Sequence, residues 1–337
     1  MMNYSDSKNY LLSPEINTSI LGLDRINLAL FELGNPQNSL RVVHVVGSNG
    51  KGSTSTMITG ILGEAGLKCG LFSSPYITEL TEYIKIGNEE ISREDFAQIA
   101  DELKELIESK GIKLTHFEFV TVMSVLYFSR HNCDLCIYEA GMGGREDATN
   151  IFADAICNVL CSITVEHSQW LGNTIEEIVY NKLGIAHPGE MVISTDIVDG
   201  GALSDNTAIE ISRYCSSNKL KLFGISQAVM QGDFNCDYMK FDLGDYTDIT
   251  LNTGAKYQLK NAATAIRACE IICDELNITM KVSDVRKGLS SFALKSRFEV
   301  IASNPLTIID GGHNPACIKQ LVKSLDESLK YIIVTGV

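Results

Sequence analysis

The sequence has no apolar run long enough to cross a bilayer. Its longest, "FVTVMSVLYF" at 119–128, falls well short of the roughly 20 residues a spanning helix needs. The first residues, "MMNYSDSKNY", lack the charged-then-apolar pattern of a secretory signal. These absences lead to the expectation of a cytoplasmic protein with no membrane partner. Cations are also scarce, 28 Lys and Arg against 42 Asp and Glu, for a formal net charge of −14. Such a surface repels a phosphate backbone, so nucleic acid is not an expected partner; a positive pocket for a small polyanion is still compatible. Internal repeats and low-complexity segments are missing as well.

What is present is an ordinary globular composition, 45% hydrophobic and 21% charged, in 337 residues. That length suits about two domains. Ten cysteines lie scattered, several in apolar runs such as "AICNVLC" and "EIIC", which fits buried free thiols in a reducing compartment. The pair in "CDLC" (133–136) reads as part of a strand, with its thiols on opposite faces, unable to share a metal.

Apolar strand-like runs at 41–46, 69–72, 134–139, 156–162 and 191–194 alternate with helical patterns at 52–66, 94–109, 117–130 and 174–185. That alternation predicts an α/β fold, a mostly parallel sheet with helices on both faces. Met57, Ile58, Ile61, Leu62 and Ala65 give the helix after the first strand one apolar face. Residues 220–251, with "MKFDL" and Gly/Asp breaks, read as sheet-edge hairpins, and helices follow near 257–275 and 282–290. Beyond "ALKSRFEVIASNP" come a strand at 306–309, the turn "DGGHNP", a helix at 315–329 and a strand at 331–335. The expected division is 1–298 and 299–337, the second part being too short to bury a core unaided.

Chemistry concentrates in "RVVHVVGSNGKGSTSTMITGILGEAG" (41–66). A strict phosphate loop reads G-x-x-x-x-G-K-[ST]; here Val45 replaces the first glycine and Gly52 displaces the hydroxyl. Glycines at 47, 50 and 52 let backbone N–H groups turn toward an anion at a helix N-terminus. Lys51 supplies a cation, and Ser53 or Thr54 a hydroxyl. A plain glycine turn between strand and helix is the competing reading. Glu139 and His167 follow apolar strands, where ligands bind in open α/β sheets, and Lys182 sits in "EEIVYNKLGI". Singly, each has an ordinary explanation: a loop carboxylate, a satisfied histidine, a lysine on a solvated helix face.

In order, however, "LGLDRI", "LGNPQ", "HVVGSNGKGST", "LFSSPYITELTEYIKI", "FEFVTV", "EAGMGGREDATN", "VEHSQWLGNTIEEIVYNKLGIAHPG", "YQLKNAATAIRA", "SRFEV" and "IDGGHNP" resemble the motif series of the folylpolyglutamate synthase/dihydrofolate synthase family. The resemblance begins at Leu21 and runs to the end of the chain. It implies the central domain of a Mur-type ligase, followed by an incomplete Rossmann-like α/β domain. It also implies an ATP- and Mg2+-dependent ligase that adds L-glutamate to a folate or dihydropteroate carboxylate through an acyl phosphate, working as a monomer. In the family the loop lysine is followed by Gly, so Gly52 fits that form.

Carried over by motif, Asn49, Gly50, Lys51, Gly52 and Ser53 contact the ATP phosphates. Ser74 and Glu139 hold one Mg2+ and His167 a second, and Lys182 is the carbamylated lysine. Lys51, Lys182 and His167 are thus the catalytic candidates, with Asn261, Arg297 and Asp310 as further ATP contacts and His313 in the same turn as Asp310. The chain departs from the family pattern at Tyr76, Glu79, Tyr83, Glu146, Glu166 and Tyr257, mostly on the substrate side. Loss of cations at 79 and 83 weakens attraction for an anionic glutamate tail. A Mur-type amide ligase with a non-folate acceptor, or a nucleotide-binding paralogue without ligase activity, is the alternative.

Overall fold

The computed structural model describes residues 2–16, 18, 20–201, 205–231, 235–326 and 328–336. In chain order its elements begin with α1 (Tyr4–Leu11), α2 (Asp24–Glu32), β1 (Val42–Val46), α3 (Lys51–Glu64), β2 (Cys69–Phe72), β3 (Ile84–Ile86) and β4 (Glu89–Glu90). They continue with α4 (Arg93–Lys110), α5 (His116–Arg130), β5 (Leu135–Glu139), β6 (Cys157–Leu160), α6 (Ser168–Leu171), α7 (Ile175–Leu183), β7 (Met191–Val198), α8 (Asn206–Ser217) and β8 (Lys221–Ile225). The last are β9 (Val229–Gln231), β10 (Met239–Leu243), β11 (Tyr246–Leu251), α9 (Gln258–Leu276), α10 (Val282–Ser290), β12 (Glu299–Ser303), β13 (Leu306–Ile309) and α11 (Pro315–Ser324).

Eight strands form one sheet in the order β4-β3-β2-β5-β1-β6-β7-β8. From β2 to β8 the pairings are parallel, and β3 and β4 add an antiparallel edge. Alternation along β1 assigns its two faces. Val43 and Val45 join Met57, Ile58 and Ile61 of α3 and Ile266 of α9 in one core, while Val42 packs with Phe119 and Met123 of α5 on the other face. A third cluster joins Val46, Leu160 and Val192 to Ile178 and Val179 of α7. Burying each such aliphatic side chain fully contributes about 1.5–3 kcal/mol.

The expected α/β architecture is therefore present, with local corrections. Residues 221–225 extend the main sheet in parallel, and β9–β11 make a separate antiparallel sheet; part of the 220–251 expectation, residues 232–234, lies outside the described residues. The helix expected over 315–329 ends at Ser324, where Leu325 turns extended (φ −81°, ψ 152°) and Asp326 accepts from the Ser328 N–H. No strand forms at 331–335: with no neighbouring strand among the described residues, Ile332 and Val334 stand almost fully exposed.

All ten cysteines are free. In "CDLC", β5 starts only at Leu135, so strand alternation does not separate the two thiols. Cys136 is buried and Cys133 half-buried, and the neighbouring Cys136 holds the Cys133 thiol below its usual pKa. Among the described residues no helix is long and apolar enough to cross a membrane.

Candidate active site

The register of the central strands places Val45 beside Glu139, Val46 beside Leu160 and Phe72 beside Tyr138. β1, β2, β5 and β6 therefore finish at one level. β1 lies where the chain lays strands first to one side and then to the other, the place where open α/β sheets bind ligands. A cavity of about 620 Å3 opens there. Its lining includes Asn49, Gly50, Lys51, Gly52, Ser53 and Ser74, and also Glu139, His167, Lys182, Asn261, Arg297 and Asp310. All the candidate residues carried by the motifs thus face one space.

The loop after β1 enters α3 through Gly50, whose φ of 91° is left-handed; a side chain there would also strike Asn261. No side chain caps α3. Its first-turn N–H groups and positive dipole end are left for an anion. Lys51 Nζ donates to Gly47 O at 3.0 Å, and Lys182 Nζ donates to the same carbonyl at 2.9 Å. From α9, Gln258 donates to Ser53 Oγ at 3.0 Å and accepts from Asn261 Nδ2 at 2.7 Å, fixing both candidates. Gln258 itself escaped the sequence reading, although it lies within "YQLKN".

Gly52 explains the departure from a strict phosphate loop. A Cβ at this position would lie 3.3 Å from Glu139 Oε2 and 3.6 Å from Oε1. The buried Glu139 carboxylate thus rests against the start of α3, accepting from Ser74 N at 3.1 Å. Burial raises its pKa to about 7, against the lowering effects of Lys51, the Ser74 N–H and Arg297. A buried carboxylate with no ion-pair partner among the described residues, in a cavity that Ser74 also lines, is a donor that fits a hard divalent cation. His167, at φ 46°, precedes α6 and is exposed. Among the described residues no three His, Cys, Asp or Glu side chains converge as a metal cluster, so the remaining oxygens would come from other donors.

Lys182 is no solvated helix residue: it is 2% exposed, its Nζ 3.1 Å from Glu166 Oε1. Burial and the Lys51 charge lower its pKa to about 8, with Glu166 opposing. Glu166, noted only as a departure, is therefore the ion-pair partner of a candidate catalytic residue.

The opposite wall comes from the C-terminal segment. Asp310 accepts from Tyr257 Oη (2.7 Å), the Phe298 N–H (2.9 Å) and the Gly312 N–H (2.8 Å). Asn314 Nδ2 and Cys317 Sγ contact Asn49 Oδ1 at 2.9 and 2.8 Å, and Lys256 N donates to Ser324 Oγ at 2.9 Å. Among the other departures, Glu79 is tied up by Tyr4, Lys8 and Arg93. Tyr83 is buried against Phe72, Tyr76 and His116. Glu146 is exposed and does not line this cavity.

No protein-family model matches the chain. The dihydrofolate synthetase of Saccharomyces cerevisiae is 31% identical, over 90% of this chain and 72% of that protein. The dihydrofolate synthase/folylpolyglutamate synthase of Bacillus subtilis is also 31% identical, over 91% and 72%. Among solved structures, an FPGS–AMPPCP–folate complex superposes with a TM-score of 0.87 at 28% identity, over 98% of this chain and 82% of that one. Matches of this extent, together with the shared fold, place the chain in the folylpolyglutamate synthase/dihydrofolate synthase family.

Proposed function

We propose that the chain is an ATP- and Mg2+-dependent ligase that joins L-glutamate to a folate or dihydropteroate carboxylate. The observation that carries this reading is the contact of Gly52 with Glu139, which brings a buried carboxylate to the rim of an uncapped helix N-terminus. Relatives include folylpolyglutamate and dihydrofolate synthases, and a solved relative holds both an ATP analogue and folate.

In this reading Asn49 to Ser53 cradle the phosphates with backbone N–H groups, and Lys51 leaves Gly47 O to meet them. Asn261, Arg297 and Asp310 complete the nucleotide site from α9 and the C-terminal wall. Ser74 and Glu139 would hold one Mg2+, and His167 and a carbamylated Lys182 would serve a second. When bound there, the metal would supply charge neutralisation at the phosphoryl oxygens. Near pKa 8, part of the Lys182 population is free amine at neutral pH; its nitrogen adds to CO2, losing one proton, and the cation becomes an oxygen donor. The acceptor carboxylate takes the γ-phosphoryl group, releasing ADP. The glutamate nitrogen then bonds to the acyl carbon, phosphate leaves with the C–O electron pair, and the displaced protons pass to water. The protein's share is positioning and electrostatics.

The same reading divides the chain at 298/299, supported by the separate two-stranded sheet of β12 and β13. It also takes the protein as a cytoplasmic monomer without nucleic-acid or membrane partners, supported by its acidic charge and free thiols. The test is phosphate release with ATP, Mg2+, L-glutamate and either dihydropteroate or tetrahydrofolate. Acceptor-dependent release is expected. Release only with another carboxylate would replace folate as the acceptor, and nucleotide binding without any turnover would sink the ligase reading.

A further inference from the structure

The linker from α10 to β12, residues 291–298, carries two strained positions. Ser296 (φ 57°) and Phe298 (φ 56°) both stand in the left-handed region, which residues other than glycine hold only when their surroundings fix them. On one side the fixing groups belong to the C-terminal segment. Ser296 N donates to Glu299 Oε2 at 2.8 Å, Gly311 N to Ser296 O at 2.8 Å, and Phe298 N to Asp310 Oδ2 at 2.9 Å. On the other side the polar anchor is Lys295, whose Nζ donates to Glu82 Oε1 at 2.9 Å and to Thr78 Oγ1 at 3.3 Å.

Glu82 organises the chain between β2 and β3. It accepts from the Ile77 N–H at 2.7 Å and the Thr78 N–H at 3.3 Å, so the loop folds around its buried carboxylate. The same loop carries Ser74, whose N–H donates to Glu139 Oε2 at 3.1 Å. Lys295 therefore ties the segment that presents Ser74 to the one that presents Arg297. Ser74 and Arg297 both stand where the first cavity meets a second, of about 490 Å3, that Glu82 and Lys295 line. As a brace for the fold the pair is weak, because the Lys295 side chain is 55% exposed and its charge is screened by water. Its leverage is geometric. Arg297 lies two residues from the anchor with a left-handed residue between, and a hinge there would swing Arg297 and Asp310 together, since Phe298 N holds Asp310.

We propose that Lys295 and Glu82 are a positioning pair for the reaction: by pinning the linker to the Ser74 loop, they hold Arg297 and Asp310 across from the phosphate loop. Neither touches the nucleotide; both act through Arg297 and Asp310. The inference rests on the ligase reading above for the roles of those two residues, and adds to it what keeps them in place.

Lys295→Met removes the charge, keeps the aliphatic stem and leaves Glu82 its backbone donors. An exposed ion pair of this kind can transmit a loss of about fivefold. Calorimetric titration with Mg2+ and a non-hydrolysable ATP analogue should therefore show Kd raised about fivefold, with the melting temperature within a few degrees. Lys295→Arg should stay within twofold of the unmodified protein. In a Glu82→Gln background, Lys295→Met should cost little more, because the partner's charge is already gone. An unchanged Kd in Lys295→Met, or fully additive losses in the double variant, would overturn the inference. So would a KM raised for L-glutamate alone, which would make Lys295 a substrate contact.

Hydrogen exchange of the ligand-free protein gives a readout that needs neither nucleotide nor turnover. The Phe298 and Gly311 amides should exchange faster in Lys295→Met while those of β1 and β5 do not change. Unaltered exchange at Phe298 and Gly311 refutes the positioning role whatever the activity. Absence of turnover in the unmodified protein, with those two amides loosened as expected in the variant, counts against the ligase reading alone.

Discussion

Replacing Gly52 by alanine tests the geometry of the site most directly. The new methyl would sit 3.3 Å from Glu139 Oε2, closer than a carbon and a carboxylate oxygen comfortably stand. Glu139 cannot simply swing away, because it is buried and held by the Ser74 N–H. The carboxylate or the start of α3 must give by a few tenths of an ångström. A misplacement of about 1 Å at a reacting centre can cost on the order of 100-fold. A shift of roughly half that should therefore cost on the order of tenfold in kcat/KM, or about 1.4 kcal/mol. Stability should move the other way or stay level, because alanine is favoured over glycine in a helix by about 0.5–1 kcal/mol. Phosphate release over an ATP titration, paired with a calorimetric melting temperature, separates the two effects. Gly52→Ser, which restores generic phosphate-loop spacing, should lose activity as well, since its Cβ meets the same carboxylate. If G52A protein keeps its kcat/KM within twofold, or loses activity only in step with its melting temperature, the contact is not what selects glycine here.

Lys51→Ala should abolish ATP-dependent phosphate release while leaving the melting temperature within a few degrees; near-normal turnover would remove the loop from the mechanism. Lys182→Ala should be inactive and partly rescued by added short carboxylic acids, whose oxygens replace those of a carbamate; full activity without additive would contradict that role. Burial lowers the His44 pKa to about 4 from 6.5, so the unfolded chain binds the extra proton between those values and stability falls as pH drops through that window. Integrated from pH 7 to pH 5 this is about 2 kcal/mol, to be read as the difference in pH dependence between wild type and His44→Asn in urea unfolding; parallel curves would show that His44 does not titrate as its burial requires.

The parts of the fold legible in the sequence are those whose burial is two-sided. Largely apolar runs at 42–46, 135–139 and 157–160, each with a single polar residue, leave little choice but central parallel strands, all buried. The short amphipathic helices α1, α2 and α8 escaped notice, as did the β3–β4 edge, because a few turns or two residues carry too little periodicity. At 331–335 the residues have strand propensity and no strand to join, and propensity of that kind reflects packing against neighbours. At the site, the candidates that motif order supplied all line the first cavity, while Glu166, Gln258 and Asn314 reach Lys182, Ser53 and Asn49 only through tertiary approach. The lone reading of Lys182 as a surface residue failed for the same reason. Helix periodicity cannot reveal that the neighbouring loop roofs it over.

The cavity is bounded by two walls of different durability. Strands β1 and β5 sit in the middle of the sheet, so their amide hydrogens exchange with solvent only when the whole domain unfolds. Helix α11 is attached by the Asn49 contacts and the Lys256–Ser324 bond, and its Ile318 and Val322 face water. Its amides therefore exchange through an opening that breaks a few polar contacts and exposes little apolar surface. Deuterium uptake would divide the site into a slow half, which aligns the reacting groups, and a fast half, whose lifetime in the shut position sets how long a nucleotide stays enclosed.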